Sequence, residues 1–375
     1  MSNKFKIPPV STLLGSTIGN YIKILSNQKI SSKYIGKIFL TTLIVLISTP
    51  FHWWEELIFN KKKIKNTVLK KPPLFIIGHW RSGTTLLHNL LCQDPKTSYV
   101  TTYQTIFPNN LASKLIFQTF MKLAMPERRP ADNMKLGVSL PQEDEFALSN
   151  MYHNSYYNFF YFPNNYKEFY DKSINFKNLE VKEEKEWCYY YDKLLKKAYL
   201  DNDSKEQLIL KNPVNTARIK LLLDLYPNAK FIYIYRNPIT VFLSTQKFFR
   251  VILKTLMLQA VDNEFIDNMI FDVYERLMED YLKYRSLIPK GNLYEIRYED
   301  FEADPIKGLK IIYSDLLHAD FYKVEPKFVE YLKSVKEHKK QQYEVEKPSL
   351  DLITKRLDKY IKLYNYQIPE EIIVK

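Results

Sequence analysis

The residues best suited to chemistry lie in one short stretch of the chain, PPLFIIGHWRSGTTLLHNLL. Arg81 supplies a fixed positive charge and a planar fork of N–H donors. Thr84 and Thr85 add hydroxyl donors, and Gly78 and Gly83 allow a ligand to approach the backbone closely. These residue types, at this spacing, indicate a site that binds a phosphate group.

The pattern around these residues predicts the elements that position them. Leu74–Ile77 is a short apolar run between a pair of prolines and a glycine, which predicts a buried strand. The residues that follow open a helix, and its first N–H groups and the positive end of its dipole favour an anion. The backbone amides predicted to contribute are those of Ser82, Gly83, Thr84 and Thr85.

The stretch differs from the loop of proteins that bind nucleoside triphosphates. That loop is G-x-x-x-x-G-K-[ST], with its lysine on the phosphates and its hydroxyl on magnesium. The spacing from Gly78 to Gly83 agrees with it, but Thr84 stands at the lysine position and the cation is Arg81. A P-loop kinase of small molecules stays an alternative, which magnesium-dependent consumption of ATP would favour.

A second set of anion-binding residues follows another predicted strand. Ala229–Tyr235 is the clearest strand pattern in the chain, and Arg236 comes directly after it. Asn237 and Pro238 are typical of a helix N-cap and first helical residue. Ser244 then lies near the end of the second helical turn. Arg236 and Ser244 can therefore converge on one more phosphate.

These two sets of residues resemble the sulfotransferases that use 3′-phosphoadenosine-5′-phosphosulfate (PAPS). The motif G-H-W-R-S-G-T-T-L-L resembles their 5′-phosphosulfate loop, in the bacterial branch that has arginine before S-G-T-T. The motif R-N-P, with a serine eight residues after its arginine, resembles their 3′-phosphate element. The resemblance extends over residues 72–366. It implies a P-loop-like α/β fold, with a parallel sheet flanked by helices, and sulfuryl transfer from PAPS to a hydroxyl without a metal.

The resemblance also implies further site residues. Lys211, at the end of the predicted strand Leu208–Leu210, corresponds to a second cation at the departing phosphate. Lys339 and Lys340 lie where the family places a basic loop over the nucleotide, so they are candidates for the 3′-phosphate. A solvated run of charge is an equally good interpretation of these two lysines. Tyr298–Asp300 resembles a structural segment of the family.

The acceptor hydroxyl must lose a proton, so a general base is expected near it. Relatives carry this base at positions where the chain has Pro213 or Gln104, and neither can serve. The remaining candidates are His79, His88, Glu143, Asp144 and Glu145. We favour His88, which is on the helical face of Thr84, or Glu143, and the sequence does not separate them.

We predict an N-terminal helical arm, residues 1–70, and a catalytic domain, residues 71–375. A helical, aromatic-rich insert occupies about residues 110–205, and in sulfotransferases the equivalent insert shapes the acceptor pocket. The resemblance therefore implies an apolar, ring-lined acceptor site, whereas an aromatic core is the other interpretation. The rings in question are those of Tyr152, Tyr156, Tyr157, Phe159, Phe160, Tyr161 and Phe162.

Composition limits the classes of partner. The 375 residues carry a net charge of +13, which favours an anionic ligand, a nucleic acid or an anionic membrane. Zinc-finger spacing and RNP-type motifs do not occur, so we expect no nucleic-acid partner. A non-catalytic membrane or nucleic-acid binder with a degenerate loop is the second alternative. Cys92 and Cys188 are the only cysteines, which indicates a reducing, cytoplasmic compartment and neither a disulfide nor a metal site.

Residues 38–65 have the residue order of a helix in a membrane interface. The apolar run Ile38–Ile47 stops at Pro50, short of the roughly 20 residues that a spanning helix requires. Trp53 and Trp54 follow, and then lysines at 61, 62, 63 and 65. Peripheral membrane contact through residues 38–65 is one interpretation; a helical arm packed on the catalytic domain is the one we favour.

The combined prediction is a cytoplasmic PAPS-dependent sulfotransferase. A membrane-peripheral location is the alternative. The expected partner is a small hydroxyl acceptor, because a basic, aromatic-rich chain fits a lipid or steroid alcohol better than an anionic glycan. The central claim is that Arg81 and Arg236 bind opposite ends of one adenine nucleotide.

Overall fold

The structure is a computed structural model that describes residues 10–26, 28–57, 63–129, 134–177, 179–335 and 342–375. The chain forms two compact units. The helical unit comprises Met1–Lys71, Ser98–Leu210 and Arg250–Asp262, and the sheet unit comprises Pro72–Thr97, Lys211–Phe249 and Asn263–Lys375.

The strands that the structure describes are short. They are β1 (Leu74–Ile77), β2 (Thr97–Ser98), β3 (Gln207–Lys211), β4 (Lys230–Tyr235), β5 (Leu293–Arg297), β6 (Tyr343–Val345) and β7 (Ile372–Val374). The main sheet has the strand order β2-β3-β1-β4-β5, and β6 pairs with β7 in a small separate sheet.

Helices make up most of the rest of the described chain. They are α1 (Ile18–Leu25), α2 (Ile35–Glu55), α3 (Thr84–Leu91), α4 (Thr102–Ile106), α5 (Lys114–Ala124), α6 (Asp144–Met151), α7 (Tyr166–Ser173), α8 (Val181–Asp201), α9 (Ile219–Leu225), α10 (Pro238–Leu256), α11 (Asn263–Tyr284), α12 (Tyr298–Ala303), α13 (Pro305–Ile311), α14 (Glu325–Val335) and α15 (Lys347–Leu363).

Within the sheet unit, β1, β4 and β5 run parallel. Leu74 of β1 lies opposite Lys230 of β4, and Phe231 of β4 lies opposite Leu293 of β5. All four residues of β1 are completely buried, which explains their continuous apolar sequence. Because the strands are parallel, their carboxyl ends share one edge, where open α/β sheets usually bind ligands. The predicted α/β fold with a parallel sheet flanked by helices is confirmed.

Helix α3 begins later than the sequence suggests. Its first residue is Thr84, and Gly83 is the N-cap with a φ of 94°. Glycine adopts this left-handed conformation without the steric cost that a side chain imposes. The turn between β1 and α3 therefore contains Ser82 and Gly83, and their amides precede the helix.

Helix α2 continues to Glu55 with Pro50 inside it, so the expectation that this segment stops at Pro50 is wrong. Proline removes one backbone hydrogen bond from the helix, but contacts with other residues of the chain hold the turn that follows it. There the His52 ring hydrogen-bonds to Asn110 over 3.0 Å. By length and a mean hydropathy of 1.6, Ser32–Glu55 is the one described helix that could cross a membrane, a test that core helices and signal sequences also pass.

The aromatic residues predicted for the insert lie in the interior of the helical unit. The ring centroids of Phe159 and Phe160 lie 4.1 Å apart with the ring planes tilted by 31°, and Phe160 meets Tyr157 edge-on at 5.1 Å. Each of these three side chains is almost completely inaccessible to solvent. This packing is that of an aromatic core, the second of the two interpretations of the sequence.

Candidate active site

The loop from β1 to α3, residues 78–83, starts with a glycine that no other residue can replace easily. The Gly78 N–H donates a 2.7 Å hydrogen bond to Thr216 Oγ1. A Cβ on Gly78 would lie 2.2 Å from the carbonyl oxygen of Ile234 in β4. The absence of a side chain therefore lets the end of β1 approach β4 and turn sharply.

Two more residues of the loop adopt left-handed backbone conformations. Arg81 has a φ of 69° and Gly83 a φ of 94°. For a non-glycine residue this conformation costs on the order of 1–3 kcal/mol, and such strain is concentrated at functional sites. A Cβ on Gly83 would lie 2.1 Å from the ring of Tyr298, so this glycine leaves space for that ring.

The side chain of Arg81 joins the loop to α10. Its Nε donates a 3.0 Å hydrogen bond to Ser244 Oγ, and its guanidinium carbon lies 5.3 Å from the ring centroid of Phe248. Arg81 is partly exposed. The structure thus brings the predicted 5′ element and a residue of the predicted 3′ element into direct contact.

Arg236 contacts an aromatic ring that also packs against the same loop. Its guanidinium carbon lies 4.3 Å from the ring centroid of Tyr298, the ring that also packs at Gly83. Burial raises the pKa of Tyr298 to about 12, although the nearby Arg236 charge partly opposes the shift. Tyr298 is therefore a neutral ring at physiological pH, with Arg236 on one side and the loop on another.

The start of α10 is fixed as its sequence predicts. Asn237 Oδ1 accepts a 3.0 Å hydrogen bond from the Ile239 N–H, which makes Asn237 the N-cap. The Asn237 N–H donates to Glu299 Oε1 over 3.1 Å, and the Tyr366 hydroxyl donates to Glu299 Oε2 over 2.7 Å. Glu299 therefore holds the residue next to Arg236 in place, which is a structural role.

Lys211 provides another cation at the loop. It is the last residue of β3, and its Nζ lies 3.4 Å from Thr85 Oγ1 in the first turn of α3. The N–H of the next residue, Asn212, donates to Ile76 O of β1 over 3.4 Å, so the backbone here runs beside the end of β1. Lys211 is 2% exposed. Arg81 and Lys211 therefore both carry positive charge at the start of α3.

The two candidate histidines are both buried in the sheet unit. His79 Nδ1 lies 2.9 Å from the carbonyl oxygen of Trp80, and its ring centroid is 4.9 Å from that of Tyr274. Burial lowers the pKa of His79 to about 4, although the Trp80 carbonyl opposes the shift. A base with so low a pKa is weak. His88 lies on α3 and is 1% exposed.

The three acidic candidates lie together at the start of α6 in the helical unit. Asp144 Oδ2 accepts a 2.6 Å hydrogen bond from the Tyr191 hydroxyl, and Glu145 Oε1 accepts 2.9 Å bonds from Ser155 Oγ and the Tyr156 N–H. Both carboxylates are completely buried.

Glu143, the N-cap of α6, differs from its two neighbours. It is partly exposed and accepts a 2.6 Å hydrogen bond from the Tyr157 hydroxyl through Oε2. Of the three acids, Glu143 is the most accessible to solvent.

The described residues do not test the remaining sequence predictions. Lys339 and Lys340 lie outside the described residues. Among the residues that are described, no group of three or more His, Cys, Asp or Glu side chains is arranged to hold a metal ion.

Sequence reasoning missed Thr216, Phe248 and the ring of Tyr298 as parts of the site. Thr216 and Phe248 carry no motif of their own. Tyr298 belongs to the Y-E-D segment, but its contact with Gly83 and Arg236 depends on three separate strand ends meeting at one edge. The contact could be inferred from the sequence only if the strand order were already known.

The chain is similar to known proteins. Residues 72–317 match the model of the sulfotransferase family. The chain is 29% identical over 327 residues to the omega-hydroxy-beta-dihydromenaquinone-9 sulfotransferase Stf3 of Mycobacterium bovis, covering 87% of this chain and 83% of that protein.

Solved structures show the same fold. The sulfotransferase STF9 of Mycobacterium avium has a TM-score of 0.69 at 14% identity, covering 92% of this chain and 89% of that chain. STF1 of Mycobacterium tuberculosis has a TM-score of 0.62 at 15% identity, covering 90% of each. The match of the family model to most of the chain shows that this protein is an enzyme of the sulfotransferase family.

Proposed function

We propose that this enzyme uses PAPS as its donor and transfers the sulfuryl group to the hydroxyl of an apolar lipid or steroid alcohol. The observation that carries the proposal is the 3.0 Å hydrogen bond from Arg81 Nε to Ser244 Oγ. This bond joins the two anion-binding elements of the sequence within one unit.

The residues of the sheet unit fit an adenine nucleotide with phosphates at two positions. Arg81 and the amides and hydroxyls of residues 82–85 would bind the 5′-phosphosulfate. Arg236 and Ser244 would bind the 3′-phosphate, as would Lys339 and Lys340. Every one of these groups is a cation or a hydrogen-bond donor, which is the donor set that a doubly phosphorylated nucleotide requires.

The cations at the loop also suit the chemistry. PAPS, when bound, supplies a sulfuryl group whose transfer leaves negative charge on the former bridging phosphate oxygen. Arg81 and Lys211 would stabilise that charge as it develops, which is commonly the largest catalytic contribution. Because Arg81 is already held by Ser244, little reorganisation would accompany the reaction.

A general base must take the proton of the acceptor hydroxyl as the new S–O bond forms. We assign this role to Glu143, since it is partly exposed while its acidic neighbours Asp144 and Glu145 are buried and engaged by other groups. His88 is the second candidate, and its burial on α3 counts against it.

Chemistry and one relative support the proposed acceptor class. Stf3 is named for an omega-hydroxylated menaquinone, a hydroxyl on a hydrophobic lipid. A net charge of +13 and an aromatic content of 15% also favour an apolar acceptor presented near an anionic surface. We propose an alcohol on a lipid quinone, long-chain lipid or sterol as the substrate.

The proposal includes location and organisation. Cys92 and Cys188 are not joined in a disulfide, which fits a reducing cytoplasmic compartment. Residues 1–70 would act as a helical arm and residues 71–375 as the catalytic domain, in which the insert at 110–205 would shape the acceptor pocket.

The test is product analysis by mass spectrometry. The purified enzyme is incubated with PAPS and a panel that contains a hydroxylated quinone, a long-chain alcohol, a sterol and a glycan. We expect the mass of one sulfuryl group to be added to an apolar alcohol and 3′-phosphoadenosine-5′-phosphate (PAP) to be released. Absence of a sulfated apolar product, together with magnesium-dependent ATP consumption, would replace this proposal with a small-molecule kinase.

A further inference from the structure

Helix α2 has its polar side inward and its apolar side outward. Its buried positions are Lys37, Thr41, Val45, Ser48, His52 and Glu55. Its exposed large apolar side chains are Ile35, Phe39, Leu43, Leu46, Ile47, Trp53 and Trp54. This arrangement is the reverse of a surface helix in a water-soluble protein, which buries its apolar face.

Polar contacts with the helical unit fix the orientation of α2 along its length. Near its start, Lys37 Nζ donates to the carbonyl oxygen of Thr255 over 2.6 Å. In the middle, Thr41 Oγ1 accepts a 3.0 Å hydrogen bond from the Ser11 N–H. The outward face is therefore not a consequence of a loosely attached helix.

The far end of α2 is held in the same way. Glu55 pairs with Lys197 of α8, and both side chains are 1% exposed. Glu55 also accepts a 3.1 Å hydrogen bond from the Ala112 N–H. Breaking these buried contacts would leave uncompensated charges, so rotation of α2 about its axis is costly.

Helix α5, which packs against α2, also exposes apolar side chains. The ring of Phe51 on α2 meets that of Phe117 on α5 edge-on, with centroids 5.3 Å apart. On α5, Leu115 is 83% exposed, Leu123 74% and Ile116 57%. Large exposed apolar side chains on two neighbouring helices indicate a site of interaction with a membrane or a protein.

We propose that α2 and α5 dock the enzyme on an anionic membrane, with α2 lying in the plane of the interface. Trp53 and Trp54 are 67% and 44% exposed, and tryptophan favours the level of the lipid head groups. The exposed Lys33 precedes α2 and the exposed Lys65 follows it, where they can meet anionic lipids. A second copy of this chain fits less well, because each copy carries +13.

The buried polar side of α2 favours a helix that lies in the plane of the membrane over one that spans the membrane. From Lys37 to Glu55 the helix is about 27 Å long, close to the thickness of the hydrocarbon core. Over that length its inward face is bonded to the rest of the helical unit. A spanning α2 would have to take those polar partners into the bilayer, whereas an in-plane α2 inserts only its apolar side.

The inference does not depend on the proposed reaction, although it would give the enzyme access to a lipid acceptor in the membrane. It is tested with the full-length protein by flotation with vesicles of phosphatidylcholine alone or mixed equally with phosphatidylglycerol. The test variant carries Phe39→Gln and Ile47→Gln. The control carries Leu352→Gln and Leu363→Gln, since these α15 residues are about as exposed.

We expect the natural protein and the control to float with the mixed vesicles, and the test variant to lose about tenfold or more of its vesicle affinity. Equal binding of all three proteins, or no binding of the natural protein, would overturn the proposal. Thermal shift with PAP should be the same in all three, so failure of docking is separate from failure of the proposed function.

Two further measurements test the two alternatives, a helix that spans the membrane and a second copy of this chain. Alkaline carbonate should release the bound enzyme; retention in the vesicles would indicate a spanning helix and overturn the in-plane orientation. Light scattering without vesicles should show the same mass for the natural protein and the test variant. A natural-protein dimer that the test variant does not form would assign the face to a second copy instead.

Discussion

Arg81 is a cation held in place before any ligand binds. Its backbone is left-handed, with a φ of 69°, and its side chain is fixed by Ser244 Oγ and by the ring of Phe248. A charge that is already oriented stabilises a transition state without paying for reorganisation at the moment of reaction. Under the proposed function, this accounts for the strained conformation of Arg81.

At the residue scale, Arg81→Ala should lower kcat for sulfuryl transfer by about 10²–10³ or more, because it removes a charge at the departing phosphate. Arg81→Lys should restore only part of the rate, since lysine lacks the planar fork that bonds to Ser244. The measurement is steady-state kinetics with PAPS, with circular dichroism to check the fold.

The control for this prediction is Arg285→Ala. Arg285 is also in the sheet unit, 40% exposed, and pairs with Glu295 over 2.9 Å. This variant should retain its kcat. An Arg81→Ala enzyme with an unchanged rate would remove Arg81 from the mechanism.

His79 predicts a pH dependence of stability. Burial lowers its pKa from 6.5 in the unfolded chain to about 4 in the folded protein. Between these values the unfolded state binds more protons than the folded state. The free energy of unfolding should therefore rise as the pH is raised from 4 to 6.5, and the same stability is lost when the pH is lowered. At about 1.4 kcal/mol for each pKa unit, the total contribution is about 3 kcal/mol.

The check is urea unfolding at several pH values, with His79→Asn as the comparison because its amide can still donate to the Trp80 carbonyl. The stability difference between the natural protein and the variant should be largest above pH 6.5 and shrink toward pH 4. A difference that does not change with pH would contradict the lowered pKa.

At the scale of elements, the candidate site depends on two places in the loop of residues 78–83 where other parts of the chain pack closely against a glycine. Gly78 lets β1 approach β4, and Gly83 makes room for Tyr298 at the end of β5. The loop, Arg236 and Tyr298 all follow parallel strands that end at the same edge. The geometry of the site is therefore a property of the strand order as much as of the motif.

Gly83→Ala should destabilise the protein by about 1–3 kcal/mol and weaken PAP binding. The new Cβ would lie 2.1 Å from the Tyr298 ring, and φ at this position is 94°. Gly36→Ala is the matched control, because a Cβ there meets nothing within 4 Å in the helix α2. That control should be neutral or stabilise by up to about 1 kcal/mol.

Thermal unfolding with and without PAP measures both effects. If Gly83→Ala were as stable as Gly36→Ala and bound PAP normally, the Tyr298 ring would not be packed against the loop.

Local patterns predicted the elements that carry the site. The apolar run of β1, the strand that ends at Tyr235 and the Asn237 cap were all readable, because each depends on residues close in sequence. The extension of α2 past Pro50 was not, since the contacts that hold His52 and Glu55 come from distant residues. Tyr298 was missed as a site residue for the same reason.

At the scale of the whole molecule, the residues proposed to bind the nucleotide and the proposed general base belong to different units. The sheet unit holds Arg81, Lys211 and Arg236, while the helical unit holds Glu143. The helical unit also carries the inverted helix α2. Nucleotide binding and proton removal should therefore respond separately to mutation.

Glu143→Gln should lower kcat by about 10²–10⁴ while PAP affinity stays the same, because it removes the proposed general base and leaves the residues proposed for the nucleotide unchanged. The variant keeps an oxygen that can accept from the Tyr157 hydroxyl, so the fold should survive. Kinetics with PAPS and calorimetry with PAP provide the two measurements. His88→Gln is the parallel variant; a large loss of kcat there, with Glu143→Gln fully active, would reverse the assignment.

The claim on which the account depends is that Arg81 and Arg236 bind opposite ends of one nucleotide, and calorimetric titration tests it most directly. The ligands are PAP, which has both phosphates, and 5′-AMP, which lacks the 3′-phosphate. Arg236→Ala should weaken PAP binding by about tenfold or more and leave 5′-AMP binding unchanged, whereas Arg81→Ala should weaken both. An Arg236→Ala protein that binds PAP as tightly as the natural enzyme does, or that loses 5′-AMP equally, would contradict the account.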